Sequence, residues 1–183
     1  MIKYIKSENY LCFLALLEMI LVDVLNTDLF NQYSLAEIFG ITLPVDAVLP
    51  VRNVTYSDCP RDYGVHINER KLNDFFINTG IPINVSYYKA SPYEDNPIDA
   101  FGNDELRKNK YIIYTYSYGS LYHEPQNREV GHVALLDKVI AERTIIIYDP
   151  GPRNAGIKSV DRIDMYEAMC ERNAGIYVFE KRL

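Results

Sequence analysis

Residues 9–26 read NYLCFLALLEMILVDVLN, and of the sixteen positions from Tyr10 to Leu25 only Glu18 and Asp23 are not hydrophobic. A helix of that composition has almost no face left for water, so it belongs in the middle of a fold. Ser7 and Asn9 are both good N-cap residues, and either one places Cys12 in the first two turns. There, backbone amides lack intrahelical partners and the helix dipole is positive, which favours a thiolate over a thiol. The thiolate is the attacking form, so Cys12 is a candidate nucleophile. A secretory signal is the competing explanation, because Lys3 and Lys6 precede the apolar run. Glu18 and Asp23 interrupt that run and no small-x-small cleavage site follows it. The run is also shorter than the roughly 20 residues that cross a bilayer.

The rest of the 183 residues fits a single domain spanning 1–183, large enough to bury a core without staples. Hydrophobic residues are 48% and charged residues 24%, an ordinary globular balance. The net charge of −6 lacks the basic footprint that nucleic acid or an anionic membrane requires, so neither is an expected partner. Three cysteines, at 12, 59 and 170, argue against a disulfide framework and suit a reducing, cytoplasmic setting. Cys59 and His66 stand too far from other ligand types to read as a zinc site, and no phosphate-binding glycine loop is present.

Along the chain, Ser34 caps a short helix over Leu35 to Phe39 that ends at Gly40. Ile41 to Val65, with Pro44, Pro50, Pro60 and Gly64, reads as irregular. Asn68 caps a helix from Glu69 to Asn78, closed by Gly80. Ile83 to Tyr88 alternates as a strand, and a short helix is expected near Pro97 to Lys108. Strands then follow at Tyr111–Tyr116, Val130–Val139 and Thr144–Tyr148, with the turn-rich stretch Ser117 to Glu129 after the first of them. A helix capped by Ser159 or Asp161 runs to about Glu171, and Ile176–Phe179 closes the chain as a strand. Helices first and sheet afterwards make an α+β fold.

A cysteine nucleophile needs a base, and the base needs an orienting group. Of three histidines, His66 and His123 sit in polar loops, whereas His132 follows Gly131 and opens the apolar run Val133 to Leu136. The next strand ends in Asp149, before Pro150 and Gly151. A turn of two residues (Ile140, Ala141) or of four (Val139 to Glu142) would set His132 directly opposite Asp149. A turn at Ala141 and Glu142 would leave them diagonal on one face, and a three-residue turn would separate them.

Three features together resemble the papain-like cysteine peptidases of the bacteriocin-processing, double-glycine leader type. They are a cysteine opening a hydrophobic N-terminal helix that continues Leu-Glu-Met-Ile-Leu, a Gly-His opening a later strand, and an Asp-Pro closing the next. The resemblance runs from Cys12 to about Asp149. It implies a papain-like fold, with the buried N-terminal helix packed on an antiparallel sheet, and a catalytic triad of Cys12, His132 and Asp149. It also implies thiol chemistry on a peptide or protein substrate with no cofactor and no metal. The chain departs from the family at two points: Lys6 stands where the family's oxyanion glutamine usually is, and Phe13 stands where glycine usually follows the cysteine. Lys6 and Asn9 are therefore the candidate replacement oxyanion donors. The same triad would also serve an acyltransferase, and the same fold without catalysis would serve a peptide- or partner-binding module.

Overall fold

Helix α1 spans Cys12–Leu25, and Leu14, Leu16 and Leu17 within it are fully buried, as its composition requires. Asn26 ends it in the left-handed conformation, its amide donating to the Val22 carbonyl. The start differs from the sequence expectation. Leu11 is the N-cap, with no side-chain capping bond, because the chain turns through Tyr10 at φ 68° and the Leu11 amide donates to Glu8. That turn leaves Ser7 and Asn9 outside the cap position. Cys12 becomes the first helical residue, nearer the dipole end than either cap would have placed it.

The computed structural model describes residues 2–93, 96–99 and 107–182. The chain divides into two units, one comprising Met1–Ile67 with Asp149–Gly156 and the other Asn68–Tyr148 with Ile157–Leu183. In the first unit, α1 is followed by α2, Gln32–Phe39. The α2 cap is Asn31 rather than Ser34: Asn31 Oδ1 accepts from the Ser34 amide, and Ser34 Oγ accepts in return from the Asn31 amide. The segment expected to be irregular contains two short parallel strands, β1 (Ile41–Leu43) and β2 (Val54–Tyr56). Three residues each is too short for periodicity to announce them.

The second unit carries a six-stranded sheet. In chain order its strands are β3 (Ile83–Lys89), β4 (Lys110–Ser117), β5 (Gly131–Ala141), β6 (Thr144–Asp149), β7 (Gly156–Asp161) and β8 (Gly175–Lys181). Spatially they run β3-β8-β4-β5-β6-β7, and the paired neighbours from β3 to β6 are antiparallel. Strand β7 has only Ile157 and Val160 as large apolar residues, so it gave little strand signal in the sequence. The helix expected near Pro97–Lys108 falls largely on residues 100–106, outside the described residues.

Each face of the sheet has its own helix. On one side α5 (Arg162–Glu171), capped by the Asp161 carboxylate, sets Met165, Ala168 and Met169 in a core with Tyr114, Tyr116, Ala134 and Leu136. The helix α3 (Glu69–Thr79), capped by Asn68 and stopped at Gly80 as expected, stacks Phe76 edge-on against Phe179. Asn73 of α3 also holds edge strand β3 by both amide atoms, its Nδ2 donating to the Val85 carbonyl and its Oδ1 accepting from the Val85 amide, each at 2.8 Å.

Candidate active site

Cys12 is partly exposed at the first position of α1. The first intrahelical bond runs from the Ala15 amide to the Leu11 carbonyl at 2.9 Å, so Cys12 lies ahead of the hydrogen-bonded ladder, where the dipole favours negative charge.

The segment that delivers Cys12 is anchored by contacts the sequence did not announce. Gln32, 8% exposed at the start of α2, accepts from the Glu8 amide through Oε1 at 2.9 Å and donates from Nε2 to the Lys6 carbonyl at 3.2 Å. One amide thus clamps the backbone on both sides of Ser7, itself 4% exposed. The Gln32 backbone amide donates to Glu18 Oε2 at 2.7 Å, joining the clamp to α1. Burial raises the Glu18 carboxyl above its ordinary range, partly offset by that hydrogen bond. Glutamine next to asparagine at a helix start looks like surface, so nothing in its spacing marks it as a clamp.

Asp149 is tied to the same segment. The Ser7 amide donates to the Pro150 carbonyl at 2.8 Å, and the Tyr4 hydroxyl donates to the Asp149 carbonyl at 2.7 Å. Burial, with the Asp149 carboxylate adding to it, raises the Tyr4 hydroxyl above its ordinary value, against a lowering by a backbone bond at Gly156. It remains a neutral donor at physiological pH. Asp149 is fully buried, and its Oδ1 accepts from the Gly151 amide at 2.8 Å, a tight turn that Gly151 makes at φ 87°.

His132, 7% exposed, lies in the second unit as the second residue of β5. The β5–β6 hairpin turns at Glu142 and Arg143, closed by the pair Ala141 and Thr144, and two irregularities between Leu136 and Ala141 shift the pairing. Leu135 then opposes Tyr148.

Around His132 the second unit supplies two tyrosines. Tyr116 is its direct partner in β4, with ring centroids 5.6 Å apart, and Tyr118 stands 5.3 Å away. Both were legible only as part of a run with a ring at every second residue, Tyr114, Tyr116 and Tyr118. Gly131 leaves room beside His132 for the Arg172 side chain, whose Nε would sit 3.3 Å from a Cβ at that position. Lys6 and Asn9 are both exposed, and Lys6 meets the Gln32 clamp through its backbone carbonyl. Among the described residues no group of three or more His, Cys, Asp or Glu side chains could hold a metal ion, and no helix is long and apolar enough to cross a membrane.

No protein-family model matches the sequence, and a search of curated proteins returns no match. Among solved structures, a crystal structure of a "putative C39-like peptidase" from Bacillus anthracis superimposes with a TM-score of 0.61 and 14% identity, over 99% of this chain and 95% of that one. The two chains share a fold. At that identity the likeness covers the path of the backbone from end to end, and the chemistry has to be argued from this chain's own residues.

Proposed function

We propose that the chain is a thiol hydrolase, a peptidase or amidase acting on peptide-like substrates in the cytoplasm. Cys12 is the nucleophile, His132 the general base and then acid, and Asp149 the group that orients the imidazole. The observation that carries this reading is the placement of Cys12: a partly exposed thiol on the first residue of a buried helix, on a segment hydrogen-bonded to the strand end that bears the buried Asp149. In the first half-reaction the Cys12 proton passes to His132 as Sγ adds to the substrate carbonyl carbon. The C–N bond then breaks and the amine leaves with the proton from His132. In the second, His132 deprotonates a water that adds to the thioester, and the acid and free thiol are released. The Cys12 amide donates to the oxyanion, and Asn9 or Lys6 supplies the second donor in place of the family's glutamine. An acceptor amine replacing water would make the same site an acyltransferase.

The test is alkylation by iodoacetamide, with modified sites read by mass spectrometry. Cys12 and Cys170 are both partly exposed, so accessibility alone does not separate them. Cys12 should react at least about tenfold faster at neutral pH, and His132→Ala should remove most of that advantage. Equal rates in the native protein would contradict the reading.

A further inference from the structure

Resting on the reading of His132 as the base, we infer that Tyr116 and Tyr118 are positioning residues that fix the plane of its imidazole. The turn-rich stretch from Tyr118 to Val130 is the device that holds the second of them in place.

The two rings reach His132 from different elements. Tyr116 lies directly across the β4–β5 pair, its ring plane 87° from that of the imidazole. Tyr118 opens the short helix α4, Tyr118–Leu121, just past the end of β4, and its ring plane stands at 83°. Both tyrosines are buried, so neither ring moves without repacking its surroundings. Edge-to-face contacts favour one mutual orientation, and two of them on one imidazole restrict its side-chain torsions at the open end of a strand. Tyr122 backs Tyr118 in turn, with centroids 4.8 Å apart.

The stretch after β4 is built to keep Tyr118 there. Ser117 Oγ accepts from the Ser120 amide at 3.2 Å and donates to the Arg128 carbonyl at 2.8 Å, while the Tyr118 amide donates to the Val130 carbonyl at 2.9 Å. Between them the loop closes tightly over Gly119. A Cβ there would lie 2.3 Å from the Glu124 carbonyl oxygen and 2.5 Å from the Arg128 nitrogen, so only glycine allows the backbone to pass. Base orientation governs proton transfer rather than substrate affinity, so the two tyrosines act on kcat.

The experiment pairs NMR of histidine-labelled resting protein with steady-state kinetics, with His132→Gln used to assign the His132 signals. In Tyr118→Leu the His132 ring-proton signals should shift and broaden while those of His66, in the other unit, stay in place. In the same variant kcat should fall about ten- to a hundredfold with KM within about twofold. Tyr118→Phe keeps the ring and should bring both readouts back towards the native values. If Tyr118→Leu does not fold, Tyr122→Leu takes its place and should move the same signals. His132 signals unmoved in whichever leucine variant folds, a phenylalanine variant as impaired as the leucine one, or a loss confined to KM would each overturn the inference. If the native protein hydrolyses no peptide and yet the His132 signals respond, the positioning contact stands and the hydrolase reading falls.

Discussion

Cys12→Ala should reduce peptide hydrolysis by about 10⁴- to 10⁶-fold, because what remains after a nucleophile is lost is only the contribution of binding and the oxyanion donors. The fold should hold. Cys12 is partly exposed, contributes no cap, and alanine is the best helix former at a position whose neighbours Leu14, Leu16 and Leu17 carry the burial of α1. Residues that act as one unit are not additive, so His132→Ala should cost a comparable factor and the double variant little more than either. Turnover of a peptide mixture by mass spectrometry, alongside thermal unfolding by circular dichroism, measures both halves. Hydrolysis that survives in a folded Cys12→Ala protein would assign the reaction to other residues.

Asp149→Asn should lower kcat by about 10²- to 10⁴-fold, the effect of losing the charge that holds an imidazole in its working tautomer. Asparagine retains an Oδ1 that accepts from the Gly151 amide, and the Tyr4 hydroxyl bonds to the backbone carbonyl of Asp149, which no side-chain change removes. Asp149→Ala also leaves the Gly151 amide without the Asp149 acceptor, which costs about 1–3 kcal/mol of stability. Asp149→Ala should therefore unfold at a lower denaturant midpoint than Asp149→Asn, with both nearly inactive. An asparagine variant that keeps native kcat would remove Asp149 from the mechanism.

Much of this arrangement was legible from residue types alone, and the exceptions have physical causes. The long strands and α3 carried strong signals: sustained β-branched and aromatic runs, an Asn cap and a Gly stop. The position of Cys12 at the start of α1 was legible because an almost wholly apolar run has one entrance. The cap was misplaced because a left-handed Tyr10 is not encoded in any capping pattern. The register of β5 on β6 was not legible because two irregularities in β5 shift it, and such irregularities leave no mark in a simple alternation of apolar residues. The Gln32 clamp and the link from Ser7 to Pro150 were invisible because they join residues 24 and more than 140 positions apart through backbone atoms that every residue possesses.

The most direct measurement is chemical bridging with 1,3-dibromoacetone, a short reagent that alkylates a reactive thiol and then any nucleophilic nitrogen within its reach. Peptide mapping of the native protein should find Cys12 joined to His132, with the bridge lost on prior alkylation of Cys12. A product in which the reagent is attached to Cys12 and linked elsewhere, or to nothing, would contradict a catalytic pair formed by that sulfur and that imidazole.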